Sequence, residues 1–131
     1  VCVQSTGCPP LVRAFEAGKQ HAEPFQEAQT IASGIRVPGA VGDFLILQAV
    51  RESGGTAIAV EEQRLREWQR LAVTCEGIPV CPEAAACDGA IESLAGSGWI
   101  KPHEKVVLFN TGAAQKYVEA IRSDLPRIDL L

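Results

Sequence analysis

Apolar positions along the chain fall either into short unbroken runs or into sets spaced by three and four, and the two patterns predict different elements. Val1 to Gln4 reads as a short strand cut by the turn residues Ser5-Thr6-Gly7. Pro9-Pro10 then opens a helix carrying Leu11, Val12 and Phe15, which ends near Gly18. Residues 19–38 are polar and irregular, a length of connection that inside a domain marks a functional or contact segment. Phe44 to Val50 is nearly all apolar, too long for a strand, and predicts a mostly buried helix stopped by Gly54-Gly55. Thr56 to Val60 is a second strand, followed by Glu61 and Glu62 in the first turn of a helix. That helix sets Leu65, Trp68, Leu71, Ala72 and Cys75 on one face and ends at Gly77.

Ile78-Pro79-Val80 is a short extended piece, and Pro82 favours a helix start. Ala84 to Ala95 is a helix of small residues, suited to close approach, stopped by Gly96-Ser97-Gly98. Val106-Val107-Leu108-Phe109 has no polar alternation and is the strongest strand in the chain, of the kind buried on both faces in a parallel sheet. A further helix candidate follows Ala114, and the tail is irregular from Pro126. Strands alternating with helices predict a layered α/β domain with a mostly parallel sheet, one unit over residues 1–131.

Composition agrees. The 131 residues are one domain's worth, with 47% hydrophobic and 21% charged, which excludes a disordered chain. A net charge of −4 argues against a nucleic-acid partner. No apolar run approaches the roughly 20 residues of a membrane span. The chain has no Met and opens directly on Val1-Cys2-Val3, so a piece of something longer is expected. The cysteines, Cys2, Cys8, Cys75, Cys81 and Cys87, are odd in number and cannot all pair within the chain. Reduced thiols in a cytoplasmic setting are expected, with no metal, because structural zinc sites favour pairs about two to four residues apart. His21 and His103 stand in polar surroundings and read as solvated.

In open α/β sheets ligands bind beyond the carboxyl ends of the strands. Two polar turns qualify, Gln4-Ser5-Thr6-Gly7 and Asn110-Thr111-Gly112. A hydroxyl after a doubly buried strand is placed to hydrogen-bond a ligand, and Gly112 allows close backbone approach. The plainer alternative is that Thr111 caps the next helix. Phosphate-binding glycine motifs and a nucleophile–His–acid set are lacking. Glu83 is the one acid beside the Ala-rich helix start, where it suits the helix dipole.

A resemblance extends this reading. Thr30-Ile31-Ala32-Ser33-Gly34-Ile35-Arg36-Val37-Pro38, Gly42 to Leu47, Arg51 to Thr56, Val80 to Ala85 and Val106 to Gly112 occur in an order and spacing that resembles the C-terminal part of threonine synthases, pyridoxal-phosphate enzymes of fold type II. Val3-Gln4 with Gly7, Leu11 to Ala14 and Glu76-Gly77-Ile78 add to it. The resemblance implies a three-layer α/β fold with helices on both faces of the sheet. It also implies conversion of O-phosphohomoserine and water to threonine and phosphate, in a cytoplasmic homodimer. The cofactor supplies the electron sink and the protein its orientation. The family's Schiff-base lysine and cofactor-phosphate loop lie upstream of these segments, and none of Lys19, Lys101, Lys105 or Lys116 matches that lysine's motif. The chain therefore carries no catalytic residue under the resemblance. What it does carry is the ring-nitrogen partner: Thr111, flanked by Asn110 and Gly112, matches the family's cofactor-binding Ser or Thr. Some relatives have Glu where Cys81 stands before Pro82; here an acid, Glu83, lies two residues on. Two alternatives remain, a serine/threonine dehydratase-like relative and a stand-alone non-catalytic α/β module.

Overall fold

The computed structural model describes residues 1–118 and 120. Its centre is a parallel pair of strands, β1 (Cys2–Ser5) and β2 (Ala57–Val60), in the register Cys2 to Ala57 through Ser5 to Val60. Parallel strands need a crossover, and here it contains two helices, α1 (Pro10–Glu16) and α2 (Asp43–Glu52). After β2 come α3 (Leu65–Glu76) and α4 (Pro82–Gly96).

Side chains alternate across the strands, and the two faces take different helices. Val3, Ile58 and Val60 join a core built from Leu65 and Trp68 of α3 and the alanines of α4. Cys2, on the other face, joins Leu11, Ala14 and Leu47 from α1 and α2. Helices thus cover both faces of a parallel sheet, the α/β layering expected.

Local chemistry explains the elements. Pro10 starts α1, but Pro9 has no side-chain oxygen to cap it. The buried Gln4 does so from the neighbouring strand, its Oε1 accepting from Leu11 N at 2.9 Å and Val12 N at 3.1 Å. Asp43 opens α2 and accepts from Phe44 N at 2.6 Å and Ala22 N at 2.7 Å, tying the irregular residues 19–24 to the helix. The bond from Ala22 is the main reason its carboxyl sits below the ordinary aspartate range. α3 ends where expected, at Gly77 in the left-handed conformation, φ 68°.

Three expectations change. α2 forms, but Phe44, Leu45 and Ile46 are exposed and Leu47 is its one buried apolar side chain. A helix packed within the chain chiefly against α1 covers a single stripe. On α3, Leu65 and Trp68 are buried while Leu71 and Cys75 of the same face are exposed. Val106 to Phe109 runs without strand pairing, because among the described residues no strand flanks it. Val107 and Phe109 are 78% and 77% exposed. The helix candidate after Ala114 begins as a short 3-10 turn, Ala114–Lys116, and its continuation lies outside the described residues. All five cysteines are free. Among the described residues no helix is long and apolar enough to cross a membrane, and no group of acidic, His or Cys side chains could hold a metal.

Candidate functional site

The two polar turns have different fates. At the end of β1 every polar group is engaged internally. Ser5 Oγ donates to Glu62, Glu62 N donates to Thr6 Oγ1 at 3.1 Å, and Gly7 N donates to Ser5 Oγ at 3.1 Å. Gly7 lies so close to Gln29 that a Cβ there would fall 1.7 Å from the Gln29 carbonyl oxygen. This turn is structural: it joins both strand ends to the connection at Gln29.

The second turn meets the N-terminus of α4. Cys81 is extended just before Pro82 and fully buried. Its N–H reaches Asn110 Oδ1 at 3.3 Å, and its Sγ lies 3.9 Å from Thr111 Oγ1. Val80 bridges antiparallel to Ala113, so the chain on either side of Thr111 is held to the start of α4. A methyl on Gly112 would make only ordinary contact with Cys81 and the Tyr117 ring, so within the chain no steric demand selects glycine there. Thr111 is exposed, and it does not cap the turn that follows, where Ala113 holds the cap position without a side-chain bond.

Glu83, one turn into α4, closes the other side. Its Oε1 accepts from Gly34 N at 2.7 Å. A Cβ at Gly34 would sit 2.9 Å from that oxygen, so glycine is what lets the carboxylate reach the backbone. Glu62 Oε1 takes Ile31 N at 2.8 Å. Two carboxylates, one after β2 and one on α4, therefore pin the segment Ile31 to Gly34 against the core. Glu83 Oε2 is buried and no described group bonds it. Tyr117 stands beside Glu83; burial first, and then this carboxylate, push its phenol above the ordinary tyrosine range.

The structure thus brings Asn110, Thr111 and Gly112 together with Cys81, Glu83, Gly34 and Tyr117. Sequence reading singled out the first three and noted Cys81 and Glu83. It missed Gly34 as the partner of Glu83 and Tyr117 as its neighbour, since contacts across 49 residues leave no local pattern. Chemically, the cluster offers an outward hydroxyl on a buried sulfur floor and an orphan carboxylate oxygen behind it. Those groups fit the ring-nitrogen edge of a pyridoxal phosphate. The chain's basic side chains are not gathered at this turn into a phosphate cradle: Lys19 pairs with Glu23, and Arg64 with Glu67 and Glu92.

Comparison with known proteins gives a consistent picture. Residues 1–112, ending at this turn, match the model of the family described as pyridoxal-phosphate dependent enzyme. The chain is 34% identical over 110 residues to a threonine synthase of Methanosarcina acetivorans, covering 84% of this chain and 27% of that protein. It is 33% identical over 118 residues to a threonine synthase of Methanocaldococcus jannaschii, covering 90% of this chain and 29% of that protein. Among solved structures, a threonine deaminase from T.th., a fold type II enzyme, superposes with a TM-score of 0.59 at 25% identity, over 72% of this chain and 33% of that one. The chain spans under a third of the length of the curated relatives it matches here. With layered architecture, parallel register and most of its length in agreement, the chain belongs to the pyridoxal-phosphate dependent enzyme family.

Proposed function

We propose that this chain is the C-terminal part of a threonine synthase, which converts O-phosphohomoserine and water to threonine and phosphate. Its share of the site is the ring-nitrogen end of the pyridoxal-phosphate pocket. The observation that carries the reading is the likeness to two archaeal threonine synthases along 84% and 90% of the chain. When bound, the cofactor supplies an electron sink for proton removal and elimination at the amino-acid carbons. The chain's own residues orient and tune. The Thr111 hydroxyl donates to the ring nitrogen, and a neutral donor keeps that nitrogen unprotonated where a carboxylate would charge it. Asn110 fixes the turn to α4 through Cys81 N–H, and the pinned segment Ile31 to Gly34 forms the adjoining wall. The attaching lysine and the phosphate-binding donors come from outside this chain.

The test is made in the full-length enzyme. Thr111→Ser keeps the hydroxyl and most activity. Thr111→Ala loses a donor worth about 1–3 kcal/mol, so cofactor affinity or turnover falls by roughly one to two orders of magnitude. Thr111→Asp shifts the cofactor's visible absorbance and raises side products relative to threonine. Wild-type absorbance and product ratio in the Asp variant would remove Thr111 from the site.

The structural likeness to threonine deaminase favours a second reading, a dehydratase acting on threonine or serine. Phosphate release from O-phosphohomoserine against keto-acid formation from threonine separates the two directly.

A further inference from the structure

The Cys81 thiol is 0% exposed, so water does not reach it. Among the described residues its one recorded hydrogen-bond partner is the Thr111 hydroxyl, at 3.9 Å. Thr111 itself stands at the surface, where its proton has other acceptors. A thiol is a weak donor and a weaker acceptor, whereas a hydroxyl oxygen offers lone pairs as well as a proton. Only one arrangement serves both groups: S–H of Cys81 donates to Thr111 Oγ1, and the hydroxyl proton points outward. The reverse arrangement would spend the Thr111 proton on sulfur and leave a buried S–H with no acceptor. The thiol is also held in place, since Cys81 N–H is bound by Asn110 and Cys81 Cβ lies under Gly112.

We propose that Cys81 is a positioning residue, whose thiol donates to Thr111 Oγ1 and so aims the Thr111 proton at a ligand's aromatic nitrogen. The inference rests on the reading of Thr111 above. It assigns the buried sulfur a part in ligand orientation without contact to the ligand.

Infrared spectroscopy of this chain, without cofactor, reads the bond itself, because donation lowers the S–H stretching frequency. Subtracting the spectrum of Cys81→Ala isolates the Cys81 band from the other thiols. The band should move up in Thr111→Val and stay low in Thr111→Ser. Thr111 is exposed, so both variants are expected to fold; Thr111→Ala gives the same removal if valine does not. A band that ignores the loss of the hydroxyl overturns the proposal. In the full-length enzyme, Cys81→Ala should weaken pyridoxal-phosphate binding about three- to tenfold. Cys81→Ser should restore it, and Cys81→Ala should add nothing to Thr111→Ala. Unchanged affinity in Cys81→Ala, beside a clear effect of Thr111→Ala, would leave the bond standing and remove its role. If Thr111→Ala also leaves the cofactor untouched, the reading of Thr111 has failed and the positioning role falls with it.

Discussion

At the scale of single residues, the site is a set of polar atoms whose partners lie far along the chain. Glu83 is the clearest case. Its position at the start of α4 accounts for a dipole role, yet its carboxylate reaches Gly34 N and stands beside Tyr117. Tyr117 is the one tyrosine in the sequence, so phenol ionisation can be followed by absorbance without ambiguity. Burial and Glu83 both disfavour the phenolate, and the folded-state pKa lies above the unfolded value. The neutral phenol therefore contributes stability that is complete below the ordinary tyrosine range and is lost as pH rises through the shifted value. Glu83→Gln should lower the Tyr117 midpoint part of the way, leaving the burial contribution. An unchanged midpoint would mean that Glu83 exerts no field on the phenol. Of this cluster, Asn110, Thr111 and Gly112 were legible from the sequence because they follow an apolar run and match a family motif. Gly34 and Tyr117 were not, because their roles exist only once α4 brings them to Glu83.

At the scale of elements, α3 and α4 show what small residues are for. Gly89 faces the Trp68 ring so closely that a Cβ would fall 2.6–2.7 Å from three ring atoms. The ring cannot yield easily: it is buried, its Nε1 donates to Glu92 at 2.8 Å, and the Arg64 guanidinium stacks 4.6 Å from a ring centroid. Gly89→Ala gains about 1 kcal/mol of helix propensity and meets overpacking of about 1–3 kcal/mol, so a net loss is expected in urea unfolding. Gly96→Ala, with open space at its Cβ, should instead be neutral or gain up to about 1 kcal/mol. Equal effects of the two substitutions would show that the Trp68 contact is not what selects Gly89. The Ala-rich stretch predicted this close packing correctly. Spacing and glycine stops likewise located every α-helix among the described residues to within a few positions, because those signals are local. Burial was less legible. The apolar run on α2 and the apolar face of α3 signal surface that something covers, without saying whether the cover lies in this chain.

At the scale of the whole molecule, the exposed apolar surface is the dominant property. Val107 and Phe109 project from an unpaired extended segment, and Phe44, Leu45 and Ile46 from α2. Between them in sequence, Leu71, Ile78 and Leu108 line an apolar groove of about 530 Å³. β1 and β2 form a two-stranded sheet with no further strand beside either among the described residues. Contiguous apolar patches larger than a few hundred Å² are rare on monomers, and open strand edges template pairing with another chain. The isolated chain is therefore expected to self-associate, with a light-scattering mass that rises with concentration. Replacing Val107 and Phe109 together by Lys puts charge on the most exposed part of the segment. Because those side chains bury little within the chain, unfolding free energy should change by less than about 0.5 kcal/mol for each, while association falls sharply. Val60→Lys would not serve, since that side chain belongs to the core. A wild-type chain that stays monomeric at high concentration and unfolds in one cooperative step would sink the prediction. The apolar faces would then be tolerated surface on a self-sufficient domain, and Val106 to Phe109 would not be a strand awaiting its neighbours.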